Sequence, residues 1–437
     1  MVHSAIKKDK IELSPTAKLI EKVSFFIHNQ QNISNLKEDD SFFTRNRILS
    51  FSTTVLMILN LFKDSVEFSM TSLLPQLGLK PVSGAAFSIA RYKIKIELFL
   101  ELDSIMSAHL KTLPPKLWKG YRLIAGDGTT IKMPASTQIK KHFGIFAVGG
   151  KNTKTCLTNA CMLYDVLSNL VLDSIIAPVS IGEGMLLPNM IKNLNIPHAI
   201  ILLDRGFGYF STAKLLLNSN LNFCIRIKTS QSDFAKKAFE NPANDFITEW
   251  IASESERKTA KNQQLDTESI KVRVTKIMLN TGEVELLVSS LLDLKTISFA
   301  DISELYHYRW GIEEGYKILK PKMKLEQFSC RQHKGVYQEF YAHIFMLNLT
   351  SLLGNEAQEQ IEKKTEKRKL KYKYNWQNAF KFVRQKFLKL LKYTEIQSII
   401  NEIHIQIRTS IIAIKENRTF ERVWHHKQKK RYTPCYK

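Results

Sequence analysis

Apolar residues recur at three- and four-residue intervals along Ile48–Lys63 and Ile94–Leu110, which predicts two buried amphipathic helices within a helical first 115 residues. Between them, Pro81–Lys93 reads as a short helix with Ser83 as its N-cap and Arg91, Lys93 and Lys95 following. That segment suits either a recognition helix or a basic solvated face. From Tyr121 the pattern turns extended. Arg122–Pro134 sets Gly-Asp-Gly-Thr-Thr between apolar runs, and Cys156–Val166 and Asn169–Pro178 form a predicted hairpin through Leu167-Ser168-Asn169. A helix over Met185–Leu194 follows, then the continuous apolar run His198–Asp204, the mark of a strand buried on both faces. A helix over Phe210–Leu217 and a strand over Phe223–Lys228 complete the alternation. Polar residues over Ser253–Ser269, two alternating strands and a turn at Asn280-Thr281-Gly282 read as a mostly β insertion. Helix returns over Phe299–Lys320, where Pro321 is expected to stop it, and helices dominate from Val336. The expected fold is α/β: a mixed sheet with flanking helices, interrupted by a β insertion, with helical ends. The expected boundaries are 1–115, a core of 116–229 with 297–354, an insertion of 230–296, and a C-terminal region of 355–437.

Charge narrows the partner. The chain of 437 residues carries 64 Lys and Arg against 41 Asp and Glu, a formal charge of +23 with a pI near 9.6. Nucleic acid is the commonest polyanion to match such an excess. Two basic clusters, Lys363–Lys373 and Arg422–Arg431, stand in the C-terminal region. Five cysteines without a CxxC pair argue against a disulfide framework and a zinc ribbon, and fit a reducing compartment. The N-terminus has no signal-peptide pattern, and Ile48–Phe62 is too short and too polar to span a bilayer. A cytoplasmic protein without a membrane partner is expected.

Three carboxylates stand out. On a helix over Tyr306–Lys320, the residues Tyr306, Arg309, Glu313, Lys317 and Lys320 share one stripe, beside an apolar stripe of Leu305, Tyr308, Ile312, Tyr316 and Leu319. Asp204 follows Ile200–Leu203 at the C-terminal end of a buried strand, the edge where ligands of α/β sheets gather. Asp127 lies between two glycines after another apolar run, a setting that also suits a plain turn. Hard oxygen donors of this kind suit Mg²⁺ or Mn²⁺, and two such ions stabilise both oxygens of an in-line phosphoryl displacement. Glu314 is the rival third ligand but points about 100° away around the helix. Trp250 and Trp310 are candidates for stacking on a displaced base, with core packing as the simpler role.

The spacing Tyr306-x2-Arg309-x3-Glu313-x6-Lys320 resembles the YREK signature of the insertion sequence 4 family of DDE transposases. Asp127 in GDGTTIKMP and Asp204 in LLDRGFGYF resemble that family's two aspartate motifs, in the right order. The resemblance covers roughly Tyr121–Leu353. It implies a ribonuclease-H-like core, a metal-binding triad of Asp127, Asp204 and Glu313, and two Mg²⁺ or Mn²⁺ ions. Tyr306, Arg309, Lys317 and Lys320 would then hold DNA phosphates. It further implies cut-and-paste transposition, often through a hairpin intermediate, with terminal inverted repeats and target DNA as partners and a homodimer in the synaptic complex. A nucleoid-associated bacterial protein is the corresponding location. Another two-metal nuclease, or a non-catalytic DNA-binding descendant, are the alternatives; the second predicts loss of a carboxylate, and all three are present.

Overall fold

The computed structural model describes residues 13–60, 64–147, 154–279, 281–392 and 395–415. The Arg422–Arg431 cluster and Lys63 lie outside them. The chain separates into two compact units, one built from the N-terminal residues to 109 with those from 349, the other mainly from 110–348.

The first unit begins with α1 (Pro15–His28), α2 (Gln30–Leu36), α3 (Phe51–Leu59), α4 (Val66–Leu73), α5 (Gly84–Arg91) and α6 (Glu97–Thr112). Side chains that accept a backbone N–H place several starts: Ser14 caps α1, Asn29 α2, Ser50 α3 and Ser83 α5. The Ser50 cap explains why α3 starts later than its apolar periodicity, which already includes Ile48 and Leu49. Arg91 departs from its expected role at a DNA surface. It is 1% exposed, with its guanidinium 5.7 Å from the ring centres of both Phe87 and Tyr92. A last-turn helical position turned inward makes it a packing residue, while Lys93 keeps a partly exposed ammonium 5.0 Å from the Phe42 ring.

The second unit is built on a sheet of nine strands among the described residues. These are β1 (Arg122–Met133), β2 (Phe146–Ala147), β3 (Lys154–Asp165), β4 (Leu170–Pro178), β5 (Ala199–Leu203), β6 (Asn222–Ile227), β7 (Asp245–Trp250), β8 (Ile270–Met278) and β9 (Val284–Ser289). Their order is β2-β3-β1-β5-β6-β9-β8-β7, with β4 paired to β3. The β3–β4 hairpin turns at Asn169, whose φ of 56° suits an asparagine. β5 is buried along its whole length because it pairs in parallel with β1 on one side and β6 on the other. The strands of 230–296 continue this sheet: β9 pairs antiparallel with β6, and β8 and β7 follow.

Helices α7 (Thr137–Phe143), α8 (Glu183–Lys192), α9 (Phe210–Asn218), α10 (Asp233–Glu240), α11 (Glu254–Asn262), α12 (Phe299–His307) and α13 (Gly311–Lys317) belong to the same unit. The expected single helix over Phe299–Lys320 is broken. A 3₁₀ turn at Tyr308–Trp310 separates α12 from α13, and a π turn spans Ile318–Lys322. Pro321 therefore does not end the element. It has no N–H to give and its ring crowds the preceding turn, and the chain answers by widening, with Met323 N–H donating to Ile318 O at 2.9 Å.

The long α14 (His333–Thr365) passes into the first unit, which ends with α15 (Trp376–Lys392) and α16 (Ile396–Thr409) and a short ribbon of β10 (Tyr372–Tyr374) and β11 (Ile411–Ala413). No helix among the described residues is long and apolar enough to cross a membrane. Gly354 on α14 lies under the Tyr374 ring, and a Cβ there would stand 2.4 Å from its Cζ. Gly354→Ala is expected to destabilise this unit by about 1–3 kcal/mol despite its better helix propensity. Urea denaturation checks this; an unchanged midpoint would show that the ring yields freely.

Candidate active site

Parallel pairing of β1 with β5 runs from Arg122–Ala199 to Gly126–Leu203. The next residue on each chain is an aspartate, so Asp127 and Asp204 stand on neighbouring backbones about 4.8 Å apart. Each carboxylate is fixed locally. Asp127 Oδ1 accepts from Gly128 N–H at 2.8 Å, and Asp204 Oδ1 accepts from Arg205 N–H at 2.7 Å, capping a 3₁₀ turn over Arg205–Phe207.

Two tyrosines brace the helical segment against these strand ends. Tyr306 Oη donates to Leu203 O at 3.4 Å, and Tyr316 Oη donates to Asp127 O at 2.7 Å. Arg309, 5% exposed, donates from Nη2 to Glu313 Oε1 at 3.0 Å and lies 4.5 Å from the centre of the Trp310 ring. Its charge also acts on Asp204, Asp127 and Glu285. Lys320 Nζ donates to Thr129 Oγ1 at 2.5 Å and to Thr130 O at 2.7 Å, which ties the π turn to β1.

Glu313 is thus drawn to Arg309 and not to the aspartates. Among the described residues no three His, Cys, Asp or Glu side chains converge closely enough to hold a metal ion. The donor chemistry nevertheless fits a hard cation. Burial raises the Asp127 carboxyl to about 6, the charges of Glu183 and Asp204 push the same way, and the Gly128 N–H and Arg309 oppose them. A divalent ion offsets that crowding of negative charge, and carboxylate oxygens are what Mg²⁺ and Mn²⁺ take. Asp127 and Asp204 stand side by side and could hold it, with Glu313 as a third donor once free of Arg309.

The family described as transposase DDE domain matches residues 118–349, just over half of the 437. This chain belongs to that family. No curated protein matches it. Among solved structures, a cryo-EM structure of a piggyBac transposase synaptic complex with hairpin DNA is similar over 89% of this chain and 85% of that chain, at 10% identity and a TM-score of 0.49. The assignment rests on the family match alone.

As a DDE transposase the chain is an enzyme that cleaves and transfers DNA strands. Asp127 and Asp204 come together through strand register, and Arg309 and Glu313 meet as i and i+4 neighbours. Tyr306 is 3% exposed, with its hydroxyl turned to a strand carbonyl, so it braces α12 in this arrangement. Lys317 pairs at 2.5 Å with Glu314, both well exposed. Trp250 is 1% exposed and stacks on Phe234 at 4.7 Å, which gives it the core role; Trp310 is 38% exposed beside Arg309. Tyr316, Thr129, Glu183 and Glu285 escaped the reading of the sequence. Tyr316 sits on the apolar stripe and reads as core. Glu285 alternates along a strand, where it meets Arg226 at 3.2 Å.

Proposed function

We propose that this DDE transposase belongs to the insertion sequence 4 family and performs cut-and-paste transposition with Asp127, Asp204 and Glu313 as the ligands of two Mg²⁺ or Mn²⁺ ions. The observation that carries this reading is the side-by-side placement of Asp127 and Asp204 at the ends of two parallel strands, with Arg309 in their electrostatic field and Glu313 paired to Arg309. Bound there, the metal supplies Lewis acidity toward the phosphoryl oxygens and a water of lowered pKa. The protein's own groups bind and orient the DNA strand. The planar fork of Arg309 takes a phosphate bidentately, which releases Glu313 toward the aspartates. Lys320 adds a point charge from the side of Thr129, and Lys317 extends the same strip, while Tyr306 braces the segment from beneath. Exposed Trp310 offers a ring face next to that phosphate. Water attacks the phosphorus at a transposon end and the 3′ oxygen leaves; the freed 3′ hydroxyl then attacks a target phosphodiester, whose own 3′ oxygen leaves as the new P–O bond forms. Two ends are joined in one complex, for which a homodimer is the expected form.

Asp204→Ala is expected to abolish cleavage of a cognate end while leaving binding of that end largely intact. Cleavage assays and gel-shift titrations on the same DNA measure both. Cleavage at the wild-type rate would overturn the assignment.

A further inference from the structure

Gly128, the neighbour of Asp127, has no room for a side chain. A Cβ built on it would lie 2.1 Å from Cδ, 2.2 Å from Cγ and 2.4 Å from Oε1 of Glu183. Glu183 begins α8 at the helix N-terminus, and its N-cap is Gly182, which contributes no capping side chain. The helix therefore lays an acidic side chain across β1 at the residue after Asp127. Beyond Gly126 the β5 side of β1 is no longer paired, since the register with β5 ends at Leu203. Glu183 reaches this open strand end from the α8 side, against Gly128 and within the electrostatic field of Asp127. Its electrostatic neighbours include Asp127 and Lys320, the residues already assigned to the site.

A carboxylate brought into a cavity that only a glycine can provide, in the field of Asp127, is costly unless cations share the site, and Lys320 is one such cation. We propose that Glu183 is a further oxygen donor of the metal centre, holding the ion from the α8 side of β1 while Asp127 and Asp204 hold it from the strand ends. The inference rests on the reading of Asp127 as a metal ligand. It also gives Gly128 a definite role. The glycine keeps the space in which the Glu183 carboxylate sits, and any side chain there displaces the flexible end of Glu183 without touching backbone.

The test is Mn²⁺ binding by the full chain without DNA, followed by the electron paramagnetic resonance signal of the free ion. Thermal melts confirm that each variant is folded. Asp127→Asn should weaken Mn²⁺ by tenfold or more, and Glu183→Gln, which is isosteric, by about tenfold. Gly128→Ala should weaken it as much as Glu183→Gln, and the double variant no further than either, because both changes remove the same donor. Glu183→Asp keeps the charge but draws the carboxylate back, so it should also bind weakly. Wild-type affinity in Glu183→Gln or Gly128→Ala, with the loss in Asp127→Asn intact, would overturn the role of Glu183 and leave the aspartates standing. Full affinity in Glu183→Asp alone would show that only its charge matters and would overturn direct ligation. Wild-type affinity in Asp127→Asn would remove the reading of the site on which the proposal depends.

Discussion

Asp127→Asn is expected to abolish end cleavage and at the same time to stabilise the metal-free protein. The loss of activity, roughly 10³-fold or more, follows from removing an anionic donor where phosphoryl charge is stabilised. The gain in stability follows from the raised carboxyl. Its value of about 6 in the folded chain lies above the ordinary 3.8, so the protonated form is the one the fold prefers. That preference stabilises the protein fully below about pH 4 and is lost as pH rises through about 6. Asparagine is neutral throughout and retains the oxygen that accepts from Gly128 N–H. At pH 7–8 the variant should therefore exceed the wild type by up to about 3 kcal/mol, and near pH 4 the two should coincide. Denaturation across that range in a chelator measures the difference. Added Mg²⁺ should then close the gap by stabilising only the wild type. A variant equal to or weaker than wild type at pH 8 would show that Asp127 ionises freely, without the crowding seen around it.

Arg309→Ala is expected to reduce cleavage or strand transfer by about 10²-fold or more while leaving affinity for Mn²⁺ equal to or above that of the wild type. The guanidinium is buried against Glu313 and shares its field with Asp204 and Asp127, so a merely solvated stripe is already excluded. It competes with a cation for those carboxylates, which is why its removal does not weaken the metal. Arg309→Lys should recover only part of the loss, because an ammonium cannot make the two parallel hydrogen bonds of the fork. Lys320→Ala should show a smaller defect, since its charge is already anchored to Thr129 and Thr130. Single-turnover cleavage and joining, with stability as a control, separate these roles. Full activity in both Arg309 variants would leave the phosphate-binding strip without its central residue.

Periodicity in the chain was enough to place β5 and the β3–β4 hairpin, because a strand buried on both faces must be apolar throughout and a tight reversal needs a residue that tolerates positive φ. Motif order and spacing were enough to single out Asp127, Asp204, Arg309 and Glu313, since adjacency at i and i+4 is a property of any helical turn. They were not enough to see that the segment from Phe299 onward breaks into three kinds of helix. A 3₁₀ or π turn costs little locally and is chosen by what the helix packs against. The strands of 230–296 read as a mostly β insertion without a place in the sheet, because alternation shows that a strand has two faces but not which edge it will join.

The long-range couplings belong to the tertiary structure alone. The packing of Trp250 against Phe210, the Tyr316 brace on Asp127, the tie of Lys320 to β1 and the seat of Glu183 over Gly128 each join residues distant in sequence. No local pattern encodes such pairs, because each side chain looks ordinary in its own segment. A buried arginine has the same spacing as an exposed one, and a glycine that leaves room for a carboxylate looks like a glycine in a turn. Apolar periodicity and the order of charged motifs therefore specify the kind of sheet and the identity of its acidic residues. How closely those acids crowd depends on strand register and helix docking, where distances are set by packing across the whole core.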